Sequence, residues 1–489
     1  MILYTIGNKF VYELVNIVHF FYPFEKVIDF DTVNVNHTDE KIVCAVRERE
    51  ALKLTVTLDG TKYHYESFVR NNTPNFENEC ERIFGKMLFE ILSTHTSYSP
   101  AWGILTGVRP AKLFRRFERE FGAMRAREIF TTDYLASEDK TALCEQIGKR
   151  EENVISLSLR NSFSLYIAIP FCPSRCSYCS FVSHSVEKSR ELIPEYIERL
   201  LEEIKDTARY AKTFNLRLET VYIGGGTPTT LEAADISKIM ETIADEFDLS
   251  ACREYTVEAG RPDTITEEKL SAIKQGGATR ISINPQTMSD IVLKKIGRNH
   301  TSQETTDAFS LARKLGFDNI NMDLIAGLPL DTPVGFANTV SEILTLNPES
   351  VTVHTLAMKR SSKLSTQGEH EHIKNSVDVT KMLEIAQSKL TVNALLPYYM
   401  YRQSKTVGNL ENVGYAKSGC EGFYNIYIMD ETHTILACGA SGVTKLRQFG
   451  ENYIERIFNY KYPYEYIKEF SEIIRRKKQV GEFYARYYK

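Results

Sequence analysis

The sequence predicts an α/β protein centred on a parallel sheet curved into a full or partial barrel, with a β- and helix-bearing extension before it and an α+β segment after it. Three observations carry this. Between residues 163 and 360, six apolar strand-length runs alternate with segments of helical period. The polar motifs of that stretch follow strands, where ligand chemistry gathers in such sheets. That rhythm is absent before residue 163.

The chain has 489 residues, 43% hydrophobic and 25% charged, the balance of a soluble globular protein. At about 150 residues per domain, roughly three domains are expected. The formal charge of −4 excludes nucleic-acid or anionic-membrane binding by bulk electrostatics. The apolar run from Ile17 to Phe24 is interrupted by His19 and Pro23 and is too short to cross a bilayer. Residues 1–15 lack the basic, apolar and small-residue regions of a signal peptide. Nine cysteines, an odd number unevenly spread, suit a reducing cytosol, so the expectation is a cytoplasmic protein without nucleic-acid partner or stable membrane association.

Residues 1–75 read as a β-rich domain. Leu52, Leu54, Val56 and Leu58 alternate with polar residues, Asp59-Gly60 supplies a hairpin turn, and Lys62 to Phe68 returns. Residues 76–162 read as a helical connector, in which Pro110 opens a helix and Gly122 stops it. One face of that helix carries Leu113, Phe114, Phe117 and Phe121; Lys112, Arg115, Arg116 and Arg119 on the other read as a solvated basic face. The barrel spans 163–360. Its strands are Ser164–Ile169, Thr220–Ile223, Tyr255–Glu258, Arg280–Asn284, Ile320–Ile325 and Ser350–Leu356. The intervening helices are Leu192–Phe214, Ala233–Phe247, Glu267–Lys274, Glu304–Leu315 and Gly335–Leu346. An α+β domain fills 361–489: a linker-like stretch over 361–385, short strands at Asn425–Met429 and Thr434–Cys438, and a basic run Arg475–Lys478 read as a solvated helix face.

Six cysteines (Cys44, Cys80, Cys144, Cys252, Cys420 and Cys438) are scattered and read as small buried hydrophobes. The other three, Cys172, Cys176 and Cys179, share one loop. Random placement would give this C-x3-C-x2-C spacing roughly 0.003 times per chain. A Cys3His zinc site could recruit His184, but zinc sites usually gather ligands in two distant pairs. Three thiolates on one loop suit an iron–sulfur cube with one iron left open.

At the other strand ends stand Gly224-Gly225-Gly226-Thr227-Pro228, Glu258, Asn284, Gln286, Arg298 and Asp323. Three successive glycines let a backbone approach a ligand closely, and no Gly-Lys-Ser/Thr follows to make a phosphate loop. Valine at Gly225 or Gly226 is accordingly expected to block a ligand and leave metal content intact.

The cysteine loop, the glycine turn and the β/α order together resemble the radical S-adenosylmethionine (SAM) enzymes. Tyr166-Ile-Ala-Ile-Pro-Phe-Cys, Gly-Gly-Gly-Thr-Pro-Thr and Asp323-Leu-Ile-Ala-Gly-Leu-Pro resemble the oxygen-independent coproporphyrinogen III oxidase group. Leu105-Thr-Gly-Val-Arg-Pro-Ala-Lys112, Tyr401-Arg-Gln-Ser-Lys and Asn409-Leu-Glu-Asn-Val-Gly resemble its HemZ-type branch. The resemblance implies a radical SAM (β/α)6 partial barrel. Cys172, Cys176 and Cys179 would hold a 4Fe–4S cluster. Tyr166, Tyr178, Gly225, Gly226, Thr227, Glu258, Gln286, Arg298, Asp323 and Ala357 would contact one or two molecules of SAM. The implied reaction converts coproporphyrinogen III to protoporphyrinogen IX by way of a 5′-deoxyadenosyl radical, with a reduced flavodoxin- or ferredoxin-like electron donor.

One position departs from that pattern. Phe181 stands where the bacterial oxidases carry a fourth cysteine, so the alternative is a haem-binding, chaperone-like relative without porphyrinogen activity. A substrate with four propionates needs cationic or strong hydrogen-bonding groups. Arg402, Gln403 and Lys405 are the first candidates, with Arg109 and Lys112 behind them.

Overall fold

The computed structural model describes residues 1–32, 41–179, 184–357, 369–403 and 406–488. It divides into two units. One is built from residues 1–148, 357–380 and 401–411, and the other from 149–356, 381–400 and 412–489.

In the first unit, β1 (Ile2–Ile6), β2 (Ile28–Phe30), β3 (Lys41–Glu48), β4 (Ala51–Leu58) and β5 (Thr61–Phe68) form a sheet in the order β2-β1-β3-β4-β5. The alternating apolar residues of β4 are fully buried, and Asp59 and Gly60 turn the hairpin at φ 46° and 80°. The β-rich reading missed helix α1 (Val11–Phe21), which buries Leu14, Ile17, Val18, Phe20 and Phe21. Its Phe21 ring meets Phe89 of helix α2 (Phe76–Thr96) edge-on, with centroids 5.5 Å apart. Helices α3 (Pro110–Phe121), α4 (Ala123–Glu128) and α5 (Glu138–Ile155) follow. The basic face of α3 is not wholly solvated: Arg115 is buried, its stem so close to Gly148 that a Cβ there would lie 2.8 Å from Arg115 Cγ.

The later segments complete this unit through buried charge. Glu411 pairs with Lys140 and accepts from Trp102 Nε1 at 2.7 Å. Arg402 Nη1 donates to the carbonyls of Leu105 (2.7 Å) and Gly107 (3.4 Å), and its guanidinium lies 5.1 Å from the centroid of the Trp102 ring.

The second unit begins with β6 (Ser162–Ile169), the short pair β7 (Phe171–Cys172) and β8 (His184–Ser185), and helices α6 (Val186–Ser189) and α7 (Ile193–Thr213). Then come β9 (Arg217–Gly225), α8 (Ala233–Glu246), β10 (Glu254–Gly260), α9 (Glu267–Gln275) and β11 (Arg280–Ile283). Helices α10 (Asp290–Lys295) and α11 (Ser302–Lys314), strand β12 (Ile320–Ala326), helix α12 (Pro333–Leu346) and strand β13 (Ser350–Thr355) finish the repeat. Strands β6, β9, β10, β11, β12 and β13 pair in parallel and in chain order. They read as near-continuous apolar runs because both faces are covered. This is the expected α/β partial barrel.

The remaining elements are α13 (Glu369–Val392), β14 (Leu396–Arg402), β15 (Glu411–Ala416), α14 (Phe423–Asp430), β16 (Thr434–Cys438), β17 (Val443–Arg447), β18 (Ile454–Phe458), α15 (Pro463–Lys468) and α16 (Phe470–Tyr487). Strand β16 adds in parallel beside β6, and the sheet runs from β14 to β18 instead of closing on itself. Three expectations need correction here. The linker-like stretch is helix α13 from residue 369 onward. Asn425–Met429 is helical, because Tyr424, Ile426 and Tyr427 bury one side of α14. Within Arg475–Lys478, Lys477 is 1% exposed and lies 3.1 Å from Glu203. Glu203 also accepts from Asn459 Nδ2 at 2.7 Å, Tyr466 OH at 2.6 Å and the Gly439 N–H at 2.7 Å, so this buried pair is hydrogen-bonded on both oxygens. No helix among the described residues is long and apolar enough to cross a membrane.

Candidate cofactor site

The site lies at the C-terminal ends of β6, β9, β10, β11 and β12. Strand β6 runs through Pro170 into β7, whose second residue is Cys172. The glycine turn at the end of β9 clamps that crossing: Gly226 N–H donates to Ile169 O at 2.7 Å and Thr227 N–H to Phe171 O at 2.8 Å. A Cβ at Gly226 would stand 2.4 Å from Phe171 O, and Gly225 has φ +113°. The glycines are therefore required first by the backbone that carries Cys172.

The rest of the cysteine loop is tied to the segment after α10. Ser177 N–H donates to Ile296 O at 3.1 Å, and Cys179 N–H to Cys176 O at 3.2 Å. Arg298 donates to the Tyr178 hydroxyl from Nε (3.2 Å) and Nη2 (2.9 Å). Burial keeps that phenol protonated. Thr227 Oγ1 donates toward Cys172 Sγ at 3.6 Å, a contact the sequence did not indicate.

Inside the barrel rim, Tyr222 OH donates to Glu258 Oε1 at 2.5 Å, and Gly225 N–H reaches Glu258 Oε2 at 3.3 Å. The Tyr166, Tyr222 and Tyr424 rings stack, the closest pair 4.4 Å apart. Asp323 accepts from Asn321 Nδ2 at 2.7 Å and lies 3.8 Å from His354 Nε2. Burial would raise its carboxyl, but the nearby His354 and the hydrogen-bonding Asn321 and Thr352 outweigh that and hold it below the usual range. Gln286 is fixed by its backbone, which bonds Asp323 and Ile325, and has φ +71°.

Burial, opposed by the hydrogen bond from Tyr222, pushes the Glu258 carboxyl up to about 7. Its ordinary value is 4.5, so its contribution to stability is full below that pH and is lost as pH rises through about 7. Glu258→Gln is expected to flatten the urea-measured stability profile across that window by on the order of 3 kcal/mol. Parallel profiles for the two chains would contradict this.

These contacts bring together Cys172, Cys176, Cys179, Tyr166, Tyr178, Gly225, Gly226, Thr227, Glu258, Gln286, Arg298 and Asp323. Ala357 falls in the first unit, bridged to Thr406. Arg402 and Gln403 also belong there, as do Arg109 and Lys112. Arg402 is 3% exposed and donates to backbone carbonyls, the surroundings of a structural cation. Lys405 and Phe181 lie outside the described residues. Sequence reasoning missed Tyr222, Arg261 and His354. Tyr222 stands two positions before Gly224 and so shares its face of β9; Arg261 directly follows β10.

The donor set fits a cluster with SAM. Three thiols share one loop, and Arg298 Nη1 and Gln286 Oε1 are buried with no hydrogen-bond partner. A ligand carrying both acceptors and donors would satisfy that pair. His184, the fourth ligand of the zinc alternative, instead packs edge-on against Tyr462 at 5.6 Å. Among the described residues no three His, Cys, Asp or Glu side chains converge as a single metal ion requires.

Comparison with known proteins agrees. The Radical SAM superfamily profile matches residues 166–343. The oxygen-independent coproporphyrinogen-III oxidase-like protein HemZ of Bacillus subtilis (strain 168) is 38% identical over 398 residues, 80% of this chain and 79% of that protein. The chain belongs to the HemZ-type branch of the radical SAM superfamily. Membership implies a 4Fe–4S cluster and SAM as cofactors. The heme chaperone HemW of the same organism is 32% identical over 62% of this chain and 77% of its own length. The solved structure of coproporphyrinogen III oxidase (HemN) from Escherichia coli, a radical SAM enzyme, superposes with TM-score 0.52 at 21% identity. It covers 65% of this chain and 71% of that one and shares the fold with this HemZ-type chain.

Proposed function

We propose that this chain catalyses the oxygen-independent oxidative decarboxylation of coproporphyrinogen III to protoporphyrinogen IX. The observation that carries the reading is the meeting, at one barrel rim, of the three-thiol loop with the unpartnered buried atoms of Arg298 and Gln286. The cluster would be held by Cys172, Cys176 and Cys179. When bound, cluster and SAM supply hydrogen-atom abstraction by a carbon-centred radical. The chain's own part is orientation and shelter. Arg298 pins Tyr178, Thr227 faces the Cys172 sulfur, and the half-buried Glu258 fixes the glycine turn through Tyr222 and Gly225. Phe171 and Tyr196 pack edge-on at 5.2 Å behind the loop and exclude water from that side. A reduced flavodoxin- or ferredoxin-like protein would supply the electron.

The HemW likeness and Phe181 favour a second reading, a haem-carrying protein that retains the cofactors. Anaerobic reconstitution, followed by assay of 5′-deoxyadenosine with and without coproporphyrinogen III, separates the two. The enzyme reading expects substrate-stimulated cleavage and a vinyl-bearing product. Tight haem binding with no carbon dioxide release and no such product would overturn it.

A further inference from the structure

We propose that Arg261 is a positioning residue for the cluster, holding Cys176 in place and easing the cluster's reduction through an N–H directed at the Cys176 sulfur. The inference rests on the cluster reading above. Arg261 is 3% exposed and sits immediately beyond β10. Its fork is locked by Asp263, which accepts from Nε at 3.0 Å and from Nη2 at 2.8 Å. The remaining nitrogen, Nη1, turns to the cysteine loop. It donates to Ser174 Oγ at 2.7 Å, to Ser174 O at 3.2 Å and, at a longer 3.9 Å, to Cys176 Sγ.

This arrangement does two things. Ser174 lies two residues before Cys176, so the guanidinium grips both the backbone and the side chains of the ligand loop from a rigid strand end. A planar fork with two engaged edges does this in a way an ammonium cannot. The same N–H places positive charge beside a ligand sulfur. Iron–sulfur potentials follow net charge and hydrogen bonds to the sulfurs, and a donor stabilises the electron-rich reduced state. Asp263 partly offsets that charge, so the two residues should act on the potential with opposite signs. A simple loop tie would not.

The test uses the full chain reconstituted anaerobically, with iron content, circular dichroism and an EPR-monitored redox titration. Arg261→Met is expected to make reduction at least tenfold less favourable, about 59 mV lower for one electron. Arg261→Lys should recover part of that loss. Asp263→Asn, which leaves the guanidinium beside Cys176, should shift the midpoint upward. Shifts of one sign in Arg261→Met and Asp263→Asn, or midpoints equal to that of the unaltered chain, overturn the proposal while leaving the cluster reading intact. An unaltered chain that takes up no iron overturns both. A folded Arg261→Met chain that loads no iron supports the positioning role, and the two milder variants then decide the potential.

Discussion

Serine at any one of positions 172, 176 and 179 is expected to abolish iron loading and, with it, all reductive cleavage of SAM. A serine hydroxyl is not the soft thiolate that iron–sulfur clusters require. The loop carries three thiols with no spare, and the imidazole nearest in sequence, His184, is packed against Tyr462 and Tyr464. Iron should fall from about four per chain to background, measured colorimetrically after anaerobic reconstitution, with 5′-deoxyadenosine undetectable by chromatography. The scattered cysteines make the control. Cys80, Cys144 and Cys438 are buried, and serine there should lower stability yet leave iron bound. Full iron in Cys176→Ser would contradict the ligand assignment.

Gly226→Val is the second large effect, and it corrects an expectation. Read as a ligand-approach motif, the glycine turn predicts loss of SAM with iron retained. The structure puts the first collision elsewhere, on Phe171 O, directly before Cys172. Forcing a side chain there displaces the strand crossing, with overpacking costs of about 1–3 kcal/mol or more. Iron and SAM binding should therefore be lost together. Thr227→Val, which removes the hydroxyl facing Cys172 without touching the backbone, should keep its iron. Gly226→Val with full iron and no SAM binding would restore the simpler reading.

The barrel was legible because apolar runs of strand length alternate with segments of helical period, and the rim residues because they follow strands. What escaped depends on partners far along the chain. Arg402 looks like a loop cation until its acceptor, Leu105 O, is found 297 residues away. Lys477 looks solvated until Glu203 is placed beside it. Arg261 acquires meaning only when Cys176, 85 residues before it, lands within reach. Helix α14 was hidden differently: its tyrosines and isoleucines favour strands locally, and burial of one helical side decides against that preference. Helix α1 was read only as an apolar run, although Val11, Leu14, Val15 and Val18 do repeat at helical spacing.

The composition of the first unit from three separated segments has a consequence for synthesis. Glu411, the buried partner of Lys140 and Trp102, lies 271 and 309 residues after them. At about 5–20 residues per second, a ribosome needs roughly 15–55 s to travel from Lys140 to Glu411. Through that interval the nascent N-terminal sheet and helices exist without their interior anion, while every strand of the barrel emerges. The part of the protein begun first is thus completed only after the strands of the barrel have been made, and a fragment ending at residue 148 would lack the anion that pairs with Lys140.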